Sequence, residues 1–380
     1  MEAAVPAVRR PGAVTGTVIV GGGLAGAAAA TLLAQAGGRP LLLEKSAGAH
    51  DKICGEFLST EAQAHLAALG FDVARLGGAP IDRLRLVAGK RIVASRLPFK
   101  AVGITRRRLD EALLDHAVAA GANVERGVTV RSIGGLSLDT SGGSLTPSTL
   151  LLATGKHDVR GAKRDTSGTI DGLIGFKQYF RVSAATRAAL AGHIEVVLFD
   201  GGYAGLQLVE DGVANLCLLV DRPRFDAAGA SWAGLFEALL HEPHLRTRLG
   251  DAELLLDRPL TISGVPYGFV DRAGGPAFRL GDQAGVIPSF SGDGMSIALH
   301  SARLAAQAVA EGADAATYAA RFRRDCAAQI GRATWLQRVG TSRLGRAALV
   351  TGLGLVPDAM AQAAAWTRVS PPALARAGVA

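Results

Sequence analysis

Three glycines at fixed spacing mark the first site of chemistry. Gly21, Gly23 and Gly26 lie in Thr17-Val-Ile-Val-Gly-Gly-Gly-Leu-Ala-Gly-Ala27, between a β-branched run and an alanine-rich run. In a G-x-G-x-x-G turn the first glycine permits a tight bend and the second lets the backbone approach a pyrophosphate. The third lets a helix pack closely on its strand. The helix predicted over Leu24–Ala36 would present unpaired N–H groups and the positive end of its dipole to that anion. A second apolar run, Pro40-Leu-Leu-Leu-Glu44, ends in a carboxylate about twenty residues on, where ribose hydroxyls of an adenine dinucleotide are bound. Lys45 follows and is counted with Glu44 among the cofactor-binding residues.

Other residue types narrow the chemistry. Cys54, Cys217 and Cys326 are odd in number and far apart, so they predict no disulfide framework. His241-Glu-Pro-His244 is the nearest approach to metal-ligand spacing, but its proline argues against a shared helical face; we read it as a polar turn, and no metal is expected. The charge balance, 41 Lys+Arg against 33 Asp+Glu, gives +8 and a surface suited to anionic cofactors or an anionic membrane face. The arginines are scattered and do not alternate with aromatics, so nucleic acid is not an expected partner. The first 14 residues carry Arg9, Arg10 and two prolines without a continuous apolar core, which predicts a loose tail rather than a signal peptide. No apolar run is long enough to span a bilayer. The apolar stretch Ala347–Trp366 is expected to pack on its own domain, with peripheral membrane contact as the alternative, in a cytoplasmic protein.

With 380 residues the chain suits two domains sharing a cleft. After Glu44, Ser59 is a plausible N-cap for a helix over Thr60–Leu69. Ile81–Val87 and Arg91–Leu97 read as a hairpin turning at Ala88-Gly-Lys90, and Arg107–Ala120 as a helix. Thr149–Ala153 is a further apolar strand. Beyond a charged linker at Lys156–Asp171, four runs between Gly175 and Val220 read as mostly antiparallel strands, followed by a helix over Ser231–Leu240. Gly294–Glu311 is a long helix, and the remainder is helical. These elements predict an α/β chain: a discontinuous Rossmann-like cofactor domain from 15–80, 103–160 and 270–312, an inserted antiparallel β-sheet substrate domain from 81–102 and 161–269, and C-terminal helices over 313–380.

Four segments, in order, resemble the FAD-dependent superfamily of geranylgeranyl reductases and p-hydroxybenzoate-hydroxylase-type monooxygenases. They are the glycine turn with Glu44; Ile104-Thr-Arg-Arg-Arg-Leu-Asp110, similar to an Arg-x-x-Leu-Asp helix opening with Arg106 as its arginine; Leu150-Leu-Leu-Ala-Thr-Gly155; and Leu280-Gly-Asp-Gln-Ala-Gly-Val-Ile-Pro-Ser-Phe-Ser-Gly-Asp-Gly-Met295. The resemblance implies a glutathione-reductase-type FAD domain. It implies that Gly281 and Asp282 meet the ribityl chain, and that Gly292, Gly294 and Met295 place a helix N-terminus at the pyrimidine edge of the flavin, where reduced flavin is negative. Asp51-Lys-Ile-Cys-Gly-Glu56 looks most like the Lys-x-Cys-Gly-Gly or Lys-x-Cys-Gly-Asp segment of geranylgeranyl-reductase-type proteins, which makes Cys54 a candidate proton donor and Glu56 a second catalytic candidate. An inert buried cysteine and a solvated Lys52 are the alternatives.

The departures also inform. The third segment reads Ala153-Thr-Gly155-Lys-His-Asp158 and lacks the Asp-Gly pair of aromatic hydroxylases, which Asp158 and Arg160 partly replace. Gly202-Tyr-Ala-Gly205 is similar to a Gly-Tyr-x-Trp stretch without its tryptophan, and the tryptophan-rich motif of flavin halogenases is absent. No second G-x-G-x-x-G occurs, so electrons would come from transient NAD(P)H docking or a reductase. Three activities follow: reduction of C=C bonds of an apolar, isoprenoid-like substrate; hydroxylation of a phenolic or polyketide-like lipid with NAD(P)H and O2; or non-catalytic electron transfer.

Overall fold

The computed structural model describes residues 13–272, 274–341 and 359–379, together with 345 and 352. Two sheets organise it. The first has strands β1 (Ala13–Val20), β2 (Leu41–Glu44), β6 (Asn123–Arg126), β7 (Val130–Gly134), β8 (Ser137–Thr140), β9 (Gly143–Leu152) and β16 (Phe278–Arg279), in the order β6-β2-β1-β9-β8-β7, with β16 beside β9. β1 is parallel to β2 and to β9, which places the β1–α1–β2 unit inside the sheet. Alternation fixes its two faces. Ile19 points into the helical layer, while Val18 and Val20 pack with Leu145, Leu150 and Leu152 on the other side. β1 starts ahead of the expected Thr17, because Ala13 and Val14 pair with Leu145 and Thr146 of the long β9.

The helical layer is built from α1 (Leu24–Gln35), α2 (Thr60–Ala67), α3 (Arg106–Ala119) and α8 (Gly294–Ala310). The alanines of α1 remove side-chain bulk, so it lies directly against α8 and α3. Ser59 caps α2 as expected, its hydroxyl accepting from the Ala62 N–H at 3.3 Å.

The second sheet contains β3 (Phe57–Leu58), β4 (Ala79–Ala88), β5 (Arg91–Gly103), β10 (Leu173–Arg181), β11 (Gly192–Phe199), β12 (Gly202–Leu208), β13 (Ala214–Asp221), β14 (Glu253–Leu254) and β15 (Leu260–Ser263). Its order is β14-β10-β13-β12-β11-β4-β5-β3, with β15 also on β10. The expected hairpin is β4–β5, and every pairing is antiparallel except β4 with β11. That parallel pair follows from the long excursion through the first sheet between them, which lets β11 enter in either direction. One face packs on α6 (Trp232–Leu239) and α7 (Pro243–Leu249), where Phe180, Phe236 and Trp232 stack. Two further short helices, α4 (Ala184–Leu190) and α5 (Arg222–Ala227), carried no periodicity long enough to read. The expected turn at His241–His244 is found at His241 and Glu242, but Pro243 and His244 already open α7: Pro243 occupies the first helical position, where its missing N–H costs nothing. His244 hydrogen-bonds Glu195 at 2.7 Å.

Helix α9 (Ala315–Thr341) packs on α8, and Tyr318 donates to the Arg279 carbonyl at 2.6 Å. Of the apolar stretch Ala347–Trp366, only 352 and α10 (Ala359–Trp366) are described; α10 lies on β5, with Met360 buried against Leu86. The expected tail lies outside the described residues up to residue 12. Helix α11 (Pro371–Arg376) ties back through Arg376 to Asp325 at 2.7 Å. Among the described residues no helix is long and apolar enough to cross a membrane.

Candidate active site

The turn between β1 and α1 is shaped by backbone contacts that exclude side chains. Gly21 has φ +105°, and a Cβ there would lie 2.4 Å from the Ala153 carbonyl oxygen. A Cβ on Gly26 would lie 1.9 Å from the Gly21 oxygen. Gly23 differs: a Cβ there would meet only Arg106 Nη2 at 3.4 Å and Lys52 Nζ at 3.6 Å. Two cations therefore stand over the one glycine whose missing side chain leaves a space. No side chain caps the N–H groups at the start of α1. A concave surface of backbone N–H, Lys52 and Arg106 is suited to a pyrophosphate.

Asp110 holds that pair in place. It accepts from Arg106 Nε at 2.8 Å and Nη2 at 2.9 Å, and from Lys52 Nζ at 2.7 Å. Burial alone would raise its pKa, but the two cations hold it below the usual range. Glu44 ends β2 and accepts from the Gly22 N–H at 2.6 Å and the Ser46 N–H at 2.8 Å. Burial alone would raise its pKa, but those N–H groups and the Lys52 charge hold it below the usual carboxylate range, with lone pairs left for hydroxyl donors. Lys45 beside it is exposed.

The 280–295 segment approaches from the other side of β9. Gly281 adopts φ +59° and donates its N–H to Ser301 on α8 at 2.8 Å. Gln283 donates to the Gly155 carbonyl at 2.9 Å, so the third and fourth segments are joined directly. Buried Arg164 adds a second tie, reaching Asp158 at 2.7 Å, the Lys156 carbonyl at 2.8 Å and the Asp282 carbonyl at 2.9 Å. The Lys156 ammonium lies 3.6 Å from the Asp282 carboxylate; burial opposes its charge, but Asp282 prevails and its pKa is raised. Gly292 has φ +68°, a conformation that disfavours a side chain, and a Cβ would strike Phe57 at 2.8 Å. Gly294 and Met295 then open α8, with no side chain capping its first N–H groups.

Between these segments and the second sheet lies a cavity of about 770 Å³. The sheet face beneath it is divided. Toward β10, β13 and β12 it carries Lys177, Tyr179, Asn215 and Gln207, and these grip the Asp51–Glu56 loop. Lys177 donates to the Lys52 carbonyl at 3.0 Å, Asn215 to Gly55 at 2.9 Å and Gln207 to Glu56 at 2.8 Å. The Glu56 side chain is fully buried at φ +60°, ion-paired with Lys177 and hydrogen-bonded by Tyr179 at 2.8 Å and the Arg106 N–H at 2.7 Å. Cys54 lines the cavity, with the Glu56 N–H donating to its sulfur at 3.4 Å.

Toward β11 and β4 the same face is apolar: Ile194, Val196, Leu198, Leu84 and Leu86 form the cavity wall. Cys217 lies beside Gly205 in this surface, its thiol pushed up to about 12 by burial. A Cβ at Gly205 would touch only the Cys217 oxygen at 3.5 Å, so the wall is open where the tryptophan is missing. α9 and α10 cover the cavity with Leu336, Gln337, Met360 and Ala363. After α10, Arg368 sits over Phe57 at 5.5 Å and Phe99 at 4.3 Å and reaches Asp293, the residue before α8, at 3.3 Å.

Gly21, Gly23, Glu44, Lys45, Arg106, Gly281, Asp282, Gly292, Gly294, Met295, Cys54 and Glu56 thus all border one cavity, whereas Gly26 does not line it and packs against the Gly21 oxygen. The sequence reading missed Asp110, Arg164, Lys177, Tyr179 and Arg368. Asp110 stood in the quoted Arg-x-x-Leu-Asp motif and could have been found there. Lys177 and Tyr179 lie in strand β10, Arg164 in the loop between β9 and β10, and Arg368 between α10 and α11, none with a motif of its own.

Residues 14–135 match the FAD binding domain family. No curated protein sequence matches the chain. Solved structures share its fold at low identity. A geranylgeranyl bacteriochlorophyll reductase-like protein from Thermoplasma acidophilum superposes with TM-score 0.71 at 17% identity over 96% of each chain. PqsL, a probable FAD-dependent monooxygenase from Pseudomonas aeruginosa, gives 0.69 at 16% over 90% of this chain and 100% of that one. A halogenase PltM variant in complex with FAD gives 0.69 at 15% over 92% and 85%. One fold thus carries several chemistries. Residues 14–135 are an FAD-binding domain, FAD is the cofactor, and the whole chain has the fold on which FAD-dependent oxidoreductases and monooxygenases are built.

Proposed function

We propose that the protein is an FAD-dependent oxidoreductase that reduces a C=C bond of a substrate with an apolar body, held between the 280–295 segment and the β11–β4 wall. The observation that carries this reading is that Cys54, the first turn of α8 and the apolar wall border one cavity. Lys52 and Arg106 would hold the FAD pyrophosphate, Glu44 the ribose hydroxyls, Asp282 the ribityl chain and the α8 N-terminus the pyrimidine edge. One alkene carbon would receive the hydride that FAD, bound there and reduced, would supply. The Cys54 thiol delivers the proton to the other carbon and is reprotonated from solvent. Lys177, Tyr179 and Glu56 act by position, keeping the Cys54 loop against the sheet. In this reading residues 15–80, 103–160 and 270–312 form the cofactor domain and 81–102 with 161–269 the substrate domain, and NAD(P)H or a reductase supplies electrons.

The apolar wall of Ile194, Val196, Leu198, Leu84 and Leu86 also favours a second reading, hydroxylation with O2, because apolar surface beside the reacting centre disfavours water there. The test is anaerobic. Reduced enzyme that is reoxidised by substrate without O2, with a saturated product, supports the alkene reductase. Reoxidation that needs O2 and puts oxygen into the product supports the hydroxylase. Reoxidation that no substrate accelerates contradicts both and leaves electron transfer.

A further inference from the structure

Asp293 breaks a local rule at the start of α8. An aspartate at an N-cap ordinarily accepts from N–H groups of the first turn, yet the Asp293 carboxylate makes no such bond. Gly292 and Gly294 on either side of it line the cavity, while Asp293 itself is fully buried. Its carboxylate accepts from Ser59 Oγ at 3.4 Å, Gln329 Nε2 at 3.3 Å, Arg368 Nη1 at 3.3 Å and the Val369 N–H at 3.1 Å. All four contacts are longer than the roughly 2.7–2.9 Å of charge-assisted bonds. Asp110, between Lys52 and Arg106, shows the shorter range, 2.7 to 2.9 Å.

The surrounding charges account for the difference. The same Arg368 Nη1 also lies 3.8 Å from Glu61 Oε2 on α2, so one guanidinium faces two carboxylates. From α9, the buried Cys326 thiol feels Asp293, and the His300–Asp325 pair lies about two turns further along α8. With both carboxylates of the cluster ionised, one negative charge is in excess where water does not reach. Burial pushes the Asp293 pKa up to about 7, Arg368 pulls it down and Glu61 pushes it up again.

We propose that Asp293 compensates charge on the flavin, taking up a proton when bound FAD is reduced and releasing it when FAD is reoxidised. This rests on α8 facing the pyrimidine edge, as in the proposed function. Reduction gives FAD two electrons and one proton, the electrons coming from NAD(P)H or a reductase. It leaves a negative charge at the edge where α8 begins. That charge repels the carboxylate behind the first turn, so the carboxylate binds a second proton from solvent. Near neutral pH the two negative charges then do not coincide. Because Asp293 leaves the first N–H groups of α8 unused, they stay available to the flavin.

The test is the midpoint potential of full-length, FAD-loaded protein against pH, by anaerobic dye-coupled reduction, for wild type, Asp293→Asn and Glu61→Gln. Asp293→Asn is neutral at every pH, so its potential should match wild type near about pH 5.5 and exceed it above about pH 8. There the missing charge should favour reduced flavin about tenfold, or about 30 mV for a two-electron couple. Between these limits wild type should fall more steeply than the variant's roughly 30 mV per pH unit, because two protons rather than one accompany two electrons. Glu61→Gln leaves Arg368 to Asp293 alone and should move the steep part of the curve to lower pH. Coinciding curves for wild type and Asp293→Asn overturn the proposal, as does an offset that is the same at every pH, which a merely structural role would give. Flavin per chain is measured first: protein that retains no FAD contradicts the cofactor site and the proposal together, whereas loaded protein with either of those curves contradicts the proposal alone.

Discussion

Glu56 and Lys177 form a fully buried ion pair that joins the Asp51–Glu56 loop to the second sheet. Removing one partner strands the other charge where water cannot reach it. Glu56→Gln and Lys177→Met should each cost about 3–5 kcal/mol in urea unfolding, while the double variant should recover much of that loss. Additive losses would show that the pair does not act as a unit.

The glycine turn makes a contrast within six residues. Gly26→Ala drives a methyl into the Gly21 carbonyl and should destabilise the protein by about 1–3 kcal/mol or more, as well as weakening FAD. Gly23→Ala meets only the ends of Arg106 and Lys52, so thermal stability should hold within about 0.5 kcal/mol. FAD affinity, measured by fluorescence quenching, should still drop at least about tenfold. Lys52→Met should weaken FAD by a similar factor.

Asp293 is pushed up to about 7 by burial, against the opposing pull of Arg368. Unfolded, it releases its proton near pH 4; folded, it keeps that proton until about pH 7. The folded state therefore holds more protons in that window, and stability falls as pH rises through it and levels off above it. His65 acts in the opposite sense: burial lowers it to about 3, so stability falls as pH drops below about 6.5. The two slopes oppose each other, so the readout is the difference between variant and wild type. Asp293→Asn should gain on wild type by up to about 4 kcal/mol between pH 4 and 7, and His65→Phe should gain as pH falls from 6.5 toward 3. Curves parallel to wild type would show that neither group is perturbed.

Cys54→Ala distinguishes the two chemistries. As proton donor its loss should lower alkene-reductase turnover by roughly 10²- to 10⁴-fold while leaving FAD affinity unchanged. A hydroxylase in the same cavity should lose little. The solvent isotope effect on turnover should change with the variant only in the first case.

Much of this site was legible because a pyrophosphate and a flavin impose local backbone demands that glycine spacing records. Gly21, Gly23, Gly26 and Gly292 could be read for that reason, as could the N-cap Ser59. What holds the Cys54 loop was not legible. Lys177, Tyr179, Gln207 and Asn215 are single polar residues in otherwise apolar strands, and their partners lie more than a hundred positions away in sequence. The parallel β4–β11 pair escaped for the same reason: register between distant strands leaves no local pattern. Arg368 was invisible because its meaning depends on Asp293 and two aromatic rings from other elements.

The central claim is that Gly21–Gly26, Lys52, Arg106 and the 280–295 segment form one FAD site. The direct measurement is flavin retained per chain after incubation with FAD and gel filtration, for wild type, Gly23→Ala and Asp282→Ala. Wild type should keep one flavin per chain, and both variants should lose most of theirs while remaining folded by circular dichroism. A wild-type protein that stays colourless, or variants that hold flavin as tightly as wild type, would contradict the account.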